Sequence, residues 1–127
     1  MSSVKSPQGM VKADEVIGRK VINTTNENLG KIEEVLIDKT SGKIRLVILS
    51  FGGFLGMGDK LFAFPWNSIS YDADKAAFIL NVSKEKLKTA PGFEKDNWPD
   101  LGNEQWGTTV YDYYGVKPYW TTREEVV

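Results

Sequence analysis

The sequence predicts a mostly β protein, a small β-barrel of about six strands with one short helix and an aromatic C-terminal extension. Short apolar segments alternate with turn residues from residue 19 to residue 82. Residues 44–51 are apolar on both faces of a predicted strand, and the tail that follows Phe93 is rich in Tyr and Trp. Closely spaced short strands usually form a barrel or a sandwich, because closure removes unpaired strand edges.

Three strands are predicted before the glycine-rich stretch. Residues 20–25 form a short first strand. Residues 30–39 carry apolar side chains on both faces, which indicates burial or a β-bulge near Glu33 and Glu34. Residues 44–51 follow a turn and alternate two apolar faces, so we expect a strand that is central in the sheet or closes a barrel.

The remaining strands and the helix follow the glycine-rich stretch. Residues 60–64 form the fourth predicted strand, which Pro65 ends. Residues 69–72 and 78–82 form a hairpin with alternating apolar positions. Ser83 is a suitable N-cap for a short helix that runs to Lys88.

Composition argues against catalysis, a metal site or strong nucleic-acid binding. The chain has no His and no Cys, which removes the commonest general base and metal ligand as well as thiolate chemistry. The net charge of −1 provides no strong field for nucleic acid. The start of the chain has no apolar signal segment, and its longest apolar runs are far too short to cross a membrane. We therefore expect a soluble, cytoplasmic, non-enzymatic protein without a cofactor.

The glycine-rich stretch FGGFLGMGDKLFAFPW, residues 51–66, does not match a phosphate-binding loop. Gly53 and Gly58 have the required spacing, but Asp59 and Lys60 stand where the motif needs Lys and Ser or Thr. A strand pattern follows instead of a helix, so no helix N-terminus is available for an anion. We interpret the glycines as a wide connection in a curved sheet.

The aromatic tail allows two interpretations. It can be a meandering extension whose aromatic side chains pack on the barrel of the same chain, or a segment that binds a partner, since Tyr and Trp are favoured at interfaces. We favour the first, because many large aromatic side chains left in water promote aggregation. Both hold if the tail packs on a second copy of the chain.

The order of these segments resembles the PRC-barrel domain family, from Val16 to Phe93. The resemblance rests on VIGRKVINTTNENLGKIEEVLIDKTSGKIRLVILSFGGFLGMGDKLFAFPW followed by NSISYDADKAAFILNVSKEKLKTAPGF. The family includes the cytoplasmic domain of the photosynthetic reaction centre H subunit and the C-terminal domain of the rRNA maturation factor RimM. The resemblance implies a barrel used for binding and assembly, similar to the free-standing bacterial members, and it transfers no catalytic residue.

We thus expect a protein-interaction or assembly module, with a homodimer as one expected form and the partner unidentified. An accessory role in ribosome assembly, similar to RimM, and a small-ligand carrier are the alternatives. The expected organisation is a mobile arm over residues 1–15, the barrel over 16–93 and the aromatic extension over 94–127. The residues expected to contact a partner are apolar or aromatic: Phe54, Leu55, Met57, Trp106, Tyr113, Tyr114 and Trp120.

Overall fold

The computed structural model describes residues 10–50 and 60–121 of the chain, which fold around one twisted β-sheet. The described strands follow the order β5-β6-β1-β2-β3-β4-β7 across the sheet. Their bounds are β1 Lys20–Ile22, β2 Asn28–Ile37, β3 Ile44–Ser50, β4 Lys60–Pro65, β5 Ile69–Asp72, β6 Ala77–Leu80 and β7 Gly92–Glu94.

The mostly β, barrel-like class is confirmed, with one strand more than the six expected. β1 pairs in parallel with β6, and the other neighbouring strands pair antiparallel. Within the described part of the chain, the edge strands β5 and β7 are not hydrogen-bonded to each other, so the sheet curves without closing. The additional strand β7 exists through its pairing with β4, in which Phe93 lies opposite Leu61.

The predicted irregularity in the second strand is present. The register between β2 and β3 shifts between Ile32 and Glu34, which is the position of a β-bulge. An extra residue at a bulge bends the strand and increases its local twist. The bulge therefore explains how Ile32 and Val35, three positions apart, pack in the same hydrophobic cluster.

The turn between β1 and β2 is organised by the buried side chain of Asn23. Its Oδ1 accepts hydrogen bonds from the backbone of Thr25 at 3.1 Å and of Glu27 at 2.9 Å. Its Nδ2 donates to the carbonyl of Val82 at 3.2 Å, which ties the turn to the end of the β5–β6 hairpin. Asn26 takes a positive φ of 67°, a conformation that asparagine tolerates better than most residues.

Two hydrophobic clusters cover the two faces of β3. Val47 and Leu49 belong to the first cluster, which lies on one face of the sheet. Leu46 and Ile48 belong to the second cluster, on the opposite face. The prediction that this strand is central is confirmed, because β3 lies between β2 and β4 in the sheet. The second cluster is built from the following buried residues: Leu46, Ile48, Leu61, Ala63, Val110 and Tyr111.

The helices differ from the expectation in one respect. The short helix α1 spans Ala13–Val16, and α2 spans Lys84–Lys88 with the Ser83 hydroxyl accepting a hydrogen bond from the Lys86 backbone, as predicted. The tail was expected to meander, and this is wrong: a ten-residue helix, α3, spans Glu104–Tyr113. It is followed by a 3₁₀ turn over Tyr119–Thr121. The helix is stabilised because its buried side packs against Leu46 and Ile48 on β3.

Candidate interaction surface

Helix α3 begins and ends at residues suited to those positions. The Asn103 side chain caps its N-terminus by accepting a hydrogen bond from the Trp106 backbone at 2.9 Å. Gly115, with φ of +69°, lies just beyond its end. The helix buries Gly107, Val110 and Tyr111, which face the second cluster on the sheet. The tail therefore packs on the sheet of its own chain.

Arg45 on β3 connects α3 and the residues after it to the β2–β3 hairpin. Its backbone carbonyl accepts a hydrogen bond from the Tyr111 hydroxyl at 3.2 Å. Its guanidinium carbon lies 3.7 Å from the centre of the Tyr119 ring, within the range of a cation–π contact. Its Nη2 lies 3.6 Å from Oδ2 of Asp38. One largely buried side chain thus joins a hairpin to a segment about 70 residues further along the chain.

Asp38 is stabilised in its charged form at the turn of this hairpin. Its carboxylate accepts hydrogen bonds from the Ser41 hydroxyl at 2.8 Å and from the Thr40 backbone at 3.2 Å. These hydrogen bonds, together with the positive charge of Arg45, lower the pKa of the Asp38 carboxyl below its ordinary value.

Trp120 lies against α3 at the position of a glycine. A Cβ placed on Gly107 would lie 2.8 Å from Cη2 of the Trp120 ring, closer than a carbon contact allows. The Trp120 ring also contacts Tyr111, with ring centres 5.8 Å apart, and Tyr119, at 5.1 Å. Gly107 therefore provides the space in which the indole ring packs.

Tyr113 and Tyr114 make contacts within the chain at the end of α3. The Tyr113 hydroxyl lies within hydrogen-bonding distance of the Lys86 carbonyl and of the Thr89 hydroxyl. The Tyr114 ring packs edge-on against Phe64, with ring centres 6.2 Å apart. Its hydroxyl is buried without a hydrogen-bond partner among the described residues, and burial raises the pKa of this phenol well above its ordinary value.

The most exposed part of the tail lies where β7 leads into α3. Trp98 is 37% exposed and Leu101 is 50% exposed. The Phe93 ring contacts Trp98, with centres 4.9 Å apart, and Trp106, with centres 6.2 Å apart. We call Phe93, Trp98, Leu101 and Trp106 the tail surface. It is held by β7 on one side and by the first turn of α3 on the other.

The structure separates the residues that the sequence grouped as partner contacts. Trp106 lies in the tail surface. Trp120, Tyr113 and Tyr114 are half-buried in contacts with their own chain. The remaining predicted contacts lie outside the described residues: Phe54, Leu55 and Met57. Their predicted roles in binding stay predictions.

Sequence reasoning did not select Phe93, Trp98 or Leu101. A usable signal was the segment N-W-P-D-L-G, in which turn-forming residues flank Trp98 and Leu101. A large apolar side chain in such a segment has few neighbours in the chain that can cover it. Trp98 and Leu101 were therefore better candidates for exposure than the aromatic residues of a helix.

Two clefts border the sheet away from the tail surface. One has a volume of about 520 Å³ and is lined by the hairpin residues Lys43 and Arg45, by Trp66 and by Tyr119. The other has a volume of about 530 Å³. Lys20 and Lys31, which line the second cleft, lie directly opposite each other on β1 and β2. Like charges in that arrangement repel each other.

The described part of the chain contains no cluster of three or more His, Cys, Asp or Glu residues that could hold a metal ion. Among residues 10–50 and 60–121, no helix is long and apolar enough to span a membrane.

A comparison with protein-family models matches residues 8–87 to the PRC-barrel domain. The match covers most of the sheet and ends within α2, so β7 and α3 lie beyond it. A comparison with curated proteins gives no match.

Proposed function

Because this chain belongs to the PRC-barrel domain family, we propose that it is a non-enzymatic module for protein–protein interaction or assembly. The family is generally non-catalytic, and its domains often mediate interactions. The proposal keeps the division into an arm over residues 1–15, a barrel over 16–93 and an aromatic extension over 94–127. It also keeps the cytoplasm as the expected location.

The observation that carries the proposal is the exposure of the tail surface. Trp98 and Leu101 present apolar side chains to solvent beside Phe93 and Trp106, at a position fixed by β7 and α3. Tryptophan is among the residues that most often dominate binding energy at interfaces, and a rigid position reduces the entropy lost on binding. An aromatic group held in this way suits a contact with another protein.

The glycine-rich stretch remains a second proposed contact through Phe54, Leu55 and Met57, which lie outside the described residues. Tyr113, Tyr114 and Trp120 contribute to the proposed interface mainly by holding α3 in place, since they pack within the chain. A homodimer is one form that the proposed assembly can take.

An accessory role with RNA, similar to that of RimM, is the second candidate function. The directly opposed Lys20 and Lys31 in the second cleft favour it, because a phosphate group would relieve their mutual repulsion. A role as a small-ligand carrier would use the same cleft or its neighbour.

The test of the main proposal compares Trp98→Ala with Tyr71→Ala. Tyr71, on the edge strand β5, is an exposed aromatic residue with 47% exposure and serves as the matched control. We expect Trp98→Ala to weaken self-association in analytical ultracentrifugation, or retention of a specific host protein in a pull-down, by roughly tenfold or more. Tyr71→Ala should leave both unchanged.

Two outcomes would contradict the main proposal. If both variants associate as strongly as the wild-type protein does, the tail surface is not part of the interface. Retention of ribosomal particles that is lost at moderate salt and abolished by Lys20→Gln with Lys31→Gln would favour the RNA-linked candidate instead.

A further inference from the structure

We propose that the tail surface binds a cationic segment of a partner protein, in which lysine or arginine residues stand beside apolar residues. This inference rests on the proposed function and specifies the chemistry of the partner. It follows from the charges around the exposed apolar side chains and from the absence, among the described residues, of ion pairs to those charges.

Negative charge is concentrated around the tail surface. From Glu94 to Thr121 the chain has five acidic and two basic residues, whereas the described residues before Glu94 have more basic residues than acidic ones. Four carboxylates lie in the same short segment as the exposed apolar side chains. They are Glu94 at the end of β7, Asp96 and Asp100 in the connection, and Glu104 in the first turn of α3.

Among residues 10–50 and 60–121, none of these four carboxylates forms an ion pair within 4 Å, although Lys60 lies opposite Glu94 in the strand register and Lys95 stands between Glu94 and Asp96 in the sequence. Asp100 accepts a hydrogen bond from the Gly102 backbone at 3.0 Å, which leaves its charge in place. A partner with positive charges would therefore meet unpaired negative charges around an apolar centre.

The aromatic rings favour the same partner. The face of an indole ring attracts ammonium and guanidinium groups through cation–π contacts. The apolar centre accepts the aliphatic portions of lysine and arginine as well as neighbouring apolar side chains. The surrounding carboxylates accelerate association and repel anionic partners, such as acidic peptides and anionic membranes.

A second copy of this chain is the main competing occupant. Its helix α2 carries Lys84, Lys86 and Lys88, but Lys86 already lies 5.2 Å from the centre of the Tyr113 ring in its own chain. The helix has a single buried apolar residue, Leu87, so it offers little exposed apolar surface to the indole. We therefore assign the surface to a segment of another protein.

The experiment uses the full chain and three synthetic peptides of equal length. All three share the same leucine positions, and their other positions carry lysine, glutamate or glutamine. Binding is measured by calorimetry at about 0.05 M and about 0.3 M salt. The indole N–H signal of Trp98, followed by nuclear magnetic resonance, reports the site. We expect the lysine peptide to bind most tightly and to shift the Trp98 signal. Its affinity should fall as the salt concentration rises.

Matched charge variants test the role of the carboxylates. Glu94→Gln with Asp96→Asn removes two charges beside the tail surface. Glu34→Gln with Asp74→Asn removes two exposed charges elsewhere, one on β2 and one in the turn between β5 and β6. We expect the first pair of substitutions to weaken binding of the lysine peptide roughly threefold to tenfold. The second pair should change its affinity less than about twofold. Trp98→Ala should weaken it roughly tenfold.

The inference is overturned if the lysine peptide does not bind, if all three peptides bind equally, or if both charge variants lose binding equally. Self-association that Trp98→Ala abolishes while the lysine peptide does not bind would also overturn it, and would leave the proposed function intact. If Trp98→Ala changes neither peptide binding nor association with any protein, both proposals fail.

Discussion

Replacing Gly107 with alanine should destabilise the protein, although the same change stabilises most helices. In an exposed helix interior, alanine is favoured over glycine by about 1 kcal/mol. At Gly107 the added Cβ would lie 2.8 Å from Cη2 of Trp120, whereas carbon atoms pack best at about 3.5–4.0 Å. The indole ring must therefore move by close to an ångström.

The cost of that movement exceeds the gain in helix propensity. Trp120 contacts the rings of Tyr111 and Tyr119, so it cannot shift without disturbing both. Overpacking of this kind costs about 1–3 kcal/mol. After subtraction of the gain of about 1 kcal/mol, we expect Gly107→Ala to lower the free energy of unfolding by about 1 kcal/mol. In a Trp120→Ala background the ring is absent, and the same substitution should raise it by about 1 kcal/mol.

Urea denaturation of the four proteins in this double-mutant cycle measures the coupling, which we expect to be about 2 kcal/mol. Circular dichroism is the suitable signal, because removal of Trp120 alters the fluorescence. Gly102→Ala is the matched control, since its Cβ would have Asp100 Oδ1 as its nearest neighbour, at 3.6 Å. The reasoning is refuted if Gly107→Ala is stabilising by the same amount in both backgrounds.

Two further predictions concern buried and charged groups. Tyr114→Phe removes a buried hydroxyl that has no hydrogen-bond partner among the described residues, so the free energy of unfolding should stay level or rise by up to about 1 kcal/mol. A loss above about 1 kcal/mol in urea denaturation would show that the hydroxyl is bonded. The pKa of the Asp38 carboxyl is lowered in the folded protein. Its contribution to the free energy of unfolding is therefore fully present above the unfolded pKa of about 3.9 and is lost as the pH falls through the folded pKa. Asp38→Asn should therefore flatten the decline in urea midpoint below about pH 4, and an unchanged decline would contradict this.

The strands and caps whose causes are local were predictable from the sequence. The bulge near Glu33 and Glu34 followed from apolar residues on both faces of one strand. The Ser83 cap and the central position of β3 followed from side-chain type and alternation. In each case the residues that determine the structure lie within one short segment.

Elements that depend on distant partners were not predictable in the same way. Helix α3 contains Gly107, two threonines and several aromatic residues, which are all poor or moderate helix formers. Its terminal signals, Asn103 and Gly115, were present, but its stability comes from packing on β3 and β4. Strand β7 has three residues and depends on its pairing with β4. The tail surface was missed because its position depends on both elements.

The two hydrophobic clusters that cover the faces of β3 also have a consequence for synthesis on the ribosome. β4 ends at Pro65, and the residues of α3 that cover the outer face of β3 and β4 include Tyr111, 46 positions later. At roughly 5–20 residues per second, translation of that interval takes roughly 2–9 s. For those seconds the nascent chain has β3 and β4 but lacks the helix that covers Leu46 and Ile48. During that interval, the chain has an apolar face available to a chaperone before α3 covers it.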